Sequence, residues 1–243
     1  MKIALLGYGK MGKAIESIAL ERGHEIGLKV DESNANYSAS ALQGHDVAIE
    51  FSRPETATAN IGQCLAAQVP VVVGTTGWYH EFETIAEQVQ QKQGSLFYAT
   101  NFSVGVNLFF QVNQLLAELM NDWSEYAVHM EEIHHVHKLD SPSGTAITLA
   151  EQITHRLDRK NAWSEGREAT DHEINITSKR EAEVPGTHSI QYRSGIDQIT
   201  ITHEAFNRKG FATGSVLAAE WILGKTGIFT MNDLLDLRQR TND

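Results

Sequence analysis

Gly7-Tyr8-Gly9-Lys10-Met11-Gly12 stands directly after a short apolar run, Lys2-Ile3-Ala4-Leu5-Leu6. Behind it, Met11, Ala14, Ile15, Ile18 and Ala19 share one helical face. Gly-x-Gly-x-x-Gly on its own is common; set between a buried strand and an amphipathic helix it has a physical meaning. The first glycine permits a tight turn, the second lets backbone approach a pyrophosphate, and the third lets helix pack close to strand. A second strand, Glu25 to Val30, ends at Asp31, 19 residues beyond Gly12. An acid at that distance meets the ribose hydroxyls of a dinucleotide, although an ordinary loop acid would also fit there. Asp31 and the adjacent Glu32 repel an extra phosphate, which Lys10 and Lys29 offset in part. NADH is therefore the expected cofactor, with NADPH accepted less well.

Strand-like and helix-like segments go on alternating. Val47 to Phe51, Val69 to Val73 and Leu96 to Ala99 read as buried strands, with helices from about Glu55 to Ala67 and from Gly77 to about Lys92. This alternation predicts an α/β fold with a Rossmann-type doubly wound parallel sheet, whose ligands lie at the carboxyl ends of the strands. Gly74-Thr75-Thr76 and Ala99-Thr100-Asn101-Phe102 fall at such ends and could hold a nicotinamide and its ribose. The same residue types also punctuate plain turns.

From Val104 the texture changes. A long amphipathic helix (Leu108, Phe109, Val112, Leu115, Leu116, Leu119) leads to an alternating run at Tyr126, Val128 and Met130. Another helix is expected from Gly144 to about Arg159, then a loop over 160–171. Strands at Glu173 to Thr177, His188 to Tyr192 and Gln198 to His203 follow one another without helices. That pattern suggests a second, α+β domain on a mixed or antiparallel sheet with helices on one face. Helices at Ala212 to Leu223 and Asn232 to Gln239 would return to the first domain. The expected division is 1–102, completed by 211–243, as the dinucleotide-binding domain, and 103–210 as the substrate-binding and oligomerisation domain.

The second half carries the densest chemistry. His134, His135, His137 and Lys138 lie within five residues, and Ser143-Gly144-Thr145 opens the helix that follows. A helix start offers free N–H groups and a favourable dipole to an anion. Proton donors beside it suit a carboxylate ligand and a proton transfer. A solvated basic loop remains open, as does a zinc site through His134 and His137, although no second Cys or His cluster completes one.

The net charge of −11 argues against nucleic acid and anionic membrane surfaces as partners, and makes a local cation cluster the means of holding an anion. The single cysteine, Cys64, excludes an internal disulfide, fits a reducing compartment, and lies on an apolar helix face as a packing residue. No apolar run approaches membrane-spanning length. A cytoplasmic protein is expected.

Taken together, these motifs resemble the dihydrodipicolinate reductases (4-hydroxy-tetrahydrodipicolinate reductases) of diaminopimelate and lysine biosynthesis. The likeness rests on the glycine fingerprint, Phe51-Ser52-Arg53-Pro54-Glu55, Gly74-Thr75-Thr76-Gly77 and Asn101 to Asn107. Above all it rests on His134-His135-Val136-His137-Lys138 with Ser141-Pro142-Ser143-Gly144-Thr145-Ala146, and it extends to Gly224 to Phe229. The resemblance implies an oxidoreductase that passes hydride from NAD(P)H to a cyclic unsaturated dicarboxylate. It implies His134 as the general acid–base residue and Lys138 as proton donor or carboxylate partner. His135, Lys138, Ser143, Gly144 and Thr145 would bind substrate. Gly7 to Gly12, Asp31, Gly74 to Thr76 and Ala99 to Phe102 would bind cofactor, with no metal. It also implies a homotetramer built through the second domain's sheet. Lys10 and Glu32 depart from the Arg and the basic residue that many members carry, in line with the NADH preference.

Overall fold

The computed structural model describes residues 1–207 and 209–237, which form two compact units. One comprises residues 1–104 with the chain from Lys209 onward; the other begins at Gly105.

The first unit starts with β1 (Lys2–Leu6), α1 (Lys10–Glu21), β2 (Glu25–Val30), β3 (Val47–Glu50) and α2 (Pro54–Ala67). It continues with β4 (Val71–Val73), α3 (Phe82–Gln91) and β5 (Ser95–Tyr98). All strands pair in parallel, and β1 lies between β2 and β3. Both faces of the sheet are covered, which is why its strands read as unbroken apolar runs. Ile3, Leu5, Val47 and Ile49 face one core with α1; Ala4, Leu6, Ala48 and Val73 face another with α2 and α3. Cys64 is buried in that second core, as a packing residue.

The second unit contains α4 (Val104–Leu119, which begins at the unit's edge), β6 (Ala127–His134), α5 (Gly144–Thr154), β7 (Ala162–Glu165), β8 (Glu173–Arg180), β9 (Gly186–Arg193) and β10 (Gln198–Ala205). The strand order is β10-β9-β6-β8-β7. β9 is antiparallel to β6 and β10, while β8 is parallel to β6 and β7, so the sheet is mixed. Along β6, Val128, Met130, Glu132 and His134 are buried in alternation. The first two join Ile174, Ile176, Ile190 and Tyr192 under Leu149 and Ile153 of α5. Each such side chain, fully buried, contributes roughly 1.5–3 kcal/mol.

The chain then returns to the first unit with α6 (Lys209–Ile222), β11 (Gly227–Phe229) and α7 (Met231–Leu234). Four expectations need correction. Residues 160–171 are not all loop, because Ala162–Glu165 adds an edge strand beside β8. β11 adds a sixth parallel strand to the first sheet, beside β5. α5 stops at Thr154, although Leu157 remains fully buried after a turn closed by Leu157 N–H donating to Ile153 O at 2.8 Å. The last helix ends at Leu234; the part expected beyond residue 237 lies outside the described residues.

Candidate active site

In the first unit, strand order reverses between β1 and β3, and a ligand crevice belongs at that point. A groove of about 820 Å³ opens there, lined among others by Gly7, Gly9, Asp31, Ser52, Arg53 and Asn60. Gly7 has φ +102°, and a Cβ on it would stand 2.1 Å from the Phe51 carbonyl oxygen. A Cβ on Gly12 would stand 2.3 Å from the Gly7 oxygen. Gly9 has nothing within 4 Å of that position, so there the backbone faces open space. No side chain caps the start of α1, and no acid occupies its first turn. The three glycines thus divide into two that pack and one that is bare, as pyrophosphate binding requires.

Asp31 follows β2 at the groove wall. It accepts from Ser33 N–H at 2.8 Å and Ser33 Oγ at 2.6 Å, and these bonds hold its carboxyl below the usual range. Glu32 pairs with Arg53 across the groove. Lys29 is 2.6 Å from Glu16 and lies over the Tyr8 ring, whose hydroxyl also donates to Glu16. Lys10 is exposed and Met11 half-buried on the first turn of α1.

Other expected cofactor residues occupy the ends of β4 and β5. A Cβ on Gly74 would meet the Phe51 ring at 2.1 Å, so this glycine makes room for a neighbouring side chain. Thr75 is buried, its hydroxyl accepting from Ser52 N–H at 2.8 Å, whereas Thr76 is exposed. Phe102 is a core residue between Phe51 and Phe97, beside buried Ala99; Thr100 is exposed and Asn101 half-buried. Beneath the groove, Glu50 is fully buried. Burial pushes its carboxyl up, against hydrogen bonds from Ser52, Thr75 and Asn60 that only partly compensate. The sequence reading missed Ser52, Arg53, Thr56 and Asn60 as groove residues. Their place after β3, neighbour to β1, was the available signal.

In the second unit, the buried face of β6 ends in Glu132 and His134. Glu132 is fully buried, and its Oε2 lies 3.2 Å from His134 Nδ1 and 3.7 Å from His188 Nε2. Its Oε1 accepts from Ser143 N–H at 3.0 Å and from Arg180 Nη2 at 3.2 Å. His188 lies opposite Glu132 in the β6–β9 register, and its ring meets that of His134 edge-on at 5.0 Å. Burial would raise the Glu132 carboxyl, but the two imidazoles and Ser143 outweigh it and hold the group well below the carboxylate range. Burial depresses His188 most, with His134 and Lys138 adding to the effect against the pull of Glu132.

The expected residues are thereby partly sorted. His134 and Ser143 converge, together with Glu132, His188 and Arg180, which the sequence reading left unassigned. Ser143 is 2% exposed; its hydroxyl caps α5 by accepting from Ala146 N–H at 3.2 Å and lies 3.1 Å from His188 Nε2. It therefore fixes the helix start. Gly144 and Thr145 form the first turn, whose N–H groups have no partner within the helix. Lys138 Nζ sits on both oxygens of Asp140, at 2.8 and 2.9 Å, so an incoming carboxylate competes with Asp140 for it. His135 is half-buried, 6.2 Å ring to ring from the exposed His137. His137 faces Glu183 at 3.5 Å, so the structure groups His134 with Glu132 and His188 instead of with His137. These three lie within 4.8 Å of one another, close enough for a cation, and the Arg180 guanidinium already supplies one at the carboxylate.

A glycine-loop groove in one unit and a buried acid–base cluster beside a helix start in the other define the class of pyridine-nucleotide oxidoreductases. The models described as "Dihydrodipicolinate reductase, N-terminus" and "Dihydrodipicolinate reductase, C-terminus" match residues 1–102 and 105–235, and the chain belongs to that family. A 4-hydroxy-tetrahydrodipicolinate reductase from Christiangramia forsetii is 50% identical over 97% of this chain and 98% of its own. Its namesake from Neisseria meningitidis serogroup B is 35% identical over 93% and 85%. A dipicolinate-bound dihydrodipicolinate reductase from Paenisporosarcina sp. TG-14 shares the fold, with TM-score 0.77 at 21% identity over 95% and 97% of the two chains.

Proposed function

We propose that this chain reduces dihydrodipicolinate, formed from 4-hydroxy-tetrahydrodipicolinate, to tetrahydrodipicolinate in diaminopimelate and lysine biosynthesis, with His134 as its acid–base residue. The observation that carries the role of His134 is its buried contact with an ionised carboxylate at the end of β6. The first unit fits a dinucleotide, since Gly9 is bare and the start of α1 is uncapped. When bound, the reduced nicotinamide supplies a hydride. The chain itself must supply the proton that quenches the resulting electron density, and an imidazole titrates in the right range. Lys138, His135 and the first-turn N–H groups of Gly144 and Thr145 would hold the dicarboxylate. Ser143 and Asp140 position them.

NADH is the preferred cofactor in this reading and NADPH the second. Asp31 and Glu32 line the groove, while Lys29 and Arg53 are spent on Glu16 and Glu32. A cytoplasmic homotetramer completes the proposal. The outer strand β10 leaves Ile199 41% exposed and the adjoining turn leaves Ile196 93% exposed, apolar surface that a second copy would cover. Sedimentation at micromolar concentration should give four copies, and a monomer would remove this part.

The reaction is tested by following NADH and NADPH absorbance with substrate made in place by the preceding synthase from pyruvate and aspartate semialdehyde. Oxidation should need the synthase and be faster with NADH. His134→Ala should lose on the order of a hundredfold or more in turnover while still binding NADH. Full turnover in a folded variant rules out the assigned role.

A further inference from the structure

A general acid needs one particular nitrogen aimed at its substrate, and the second unit shows which one. Glu132 and His134 are two apart on β6, so the pleat turns both to the same face. Oε1 of Glu132 is bound by Ser143 N–H and by Arg180, and this tethers the carboxylate. Its other oxygen therefore stays 3.2 Å from Nδ1 of His134. A ring facing a fixed carboxylate through Nδ1 keeps a proton there, since the other tautomer would set lone pairs against the anion. Nε2 lies at the far side of the ring. A Cβ at position 186 would stand 2.9 Å from it and 3.2 Å from the adjacent ring carbon. Gly186, with φ +156°, carries none.

We propose that Glu132 is the positioning residue of His134: it keeps a proton on Nδ1 and makes Nε2 the nitrogen that donates to the substrate, while Gly186 carries no Cβ to press on that nitrogen. This rests on the acid–base reading of His134. The imidazolium gives its Nε2 proton to the reduced substrate and becomes the neutral Nδ1–H imidazole. Solvent then returns a proton to Nε2, with no change in oxidation state of the chain. The titratable groups of this cluster are Glu132 on β6, His188 on β9 and Arg180 on β8, with the Lys138–Asp140 pair in the segment after β6. Of these, Glu132 alone is an anion in contact with the ring.

The test compares Glu132→Gln, Glu132→Asp and Gly186→Ala with the unaltered enzyme in the synthase-coupled assay across pH. Glu132→Gln should lose about tenfold or more in kcat. The limb on which activity needs the protonated ring should move down by about one pH unit or more. Glu132→Asp, which restores the charge, should bring the limb back. Gly186→Ala should lower kcat while NADH affinity stays unchanged. A purely structural role would alter the amplitude and melting temperature and leave the limb in place, which overturns the proposal. Nitrogen-15 spectra of labelled histidine in the unaltered protein give a check that needs no variant: neutral His134 should carry its proton on Nδ1, and the opposite tautomer is equally fatal. If His134→Ala is inactive but Glu132→Gln keeps the original profile, only the positioning role falls. If His134→Ala is active, both fall.

Discussion

Glu50 and Glu132 are both fully buried carboxyls, and the two units treat them in opposite ways. Glu50 ends a strand beside the glycine-loop groove and is met by neutral donors, a hydroxyl and an amide. Its carboxyl is pushed up. Glu132 lies near the end of a strand and is met by a guanidinium, two imidazoles and a helix-start N–H. Its carboxyl is pulled down. Burial opposes ionisation of both, so it is the partners that decide which acid is ionised. The difference follows the work of each unit. Under the proposed function, one unit would offer backbone dipoles to a phosphate and need no internal charge, while the other would hold an ionised carboxylate against its acid–base histidine.

The largest effect should come from removing the charged partner. Glu132→Ala strands Arg180 and two imidazoles without their anion, which should cost about 3–5 kcal/mol, the usual scale for breaking a buried ion pair. Urea denaturation, with hydrogen exchange read at β6 and β9, measures it. A cost below that of any Glu50 variant would end the contrast.

Acidity should then separate the units by sign. His188 and Glu132 both have lowered folded values, so the unfolded chain binds more protons and their contribution to stability is lost as pH falls. The share due to His188 goes first, as pH drops below about 6.5, and that of Glu132 begins to go near about 4.3. Glu50 is the reverse. Its raised value means the folded state holds the proton more tightly, so its contribution is present below about 4.3 and lost as pH rises through the folded value. Thermal melts at pH 3 and 8 read both slopes: the penalty of Glu132→Gln should be smaller at pH 3, and Glu50→Gln should gain on the unaltered protein at pH 8. Parallel slopes would break the comparison.

The smallest effect should be Glu50→Gln near its most favourable pH. It keeps an acceptor for Ser52 and Asn60 and should cost about 1 kcal/mol or less. A loss as large as that of Glu132→Ala would mean that Glu50 is also ionised.

The parallel sheet was legible because both its faces are covered, so β1, β3 and β4 read as apolar runs bounded by turns. β11 and β7 were not, since Gly-Ile-Phe and Ala-Trp-Ser-Glu are mostly half-buried and neither makes a continuous apolar run. Leu157 shows another limit: burial continues the helical spacing after the backbone has left the helix. At the site, His134 and the helix start could be read from their motif. Glu132 could have been, because alternation from Val128 and Met130 puts it on the inward face. His188 and Arg180 could not, since only strand register sets His188 opposite Glu132 and Arg180 opposite His134.

The sixth strand of the first sheet has a consequence for how the protein is made. β11 pairs with β5, yet more than a hundred residues of the other unit are synthesised between them. On the ribosome, β5 must wait as an open edge, with its ladder groups unpaired, while the inserted unit emerges as one continuous piece able to fold first. The unit that contributes β5 is begun before the inserted one and finished after it.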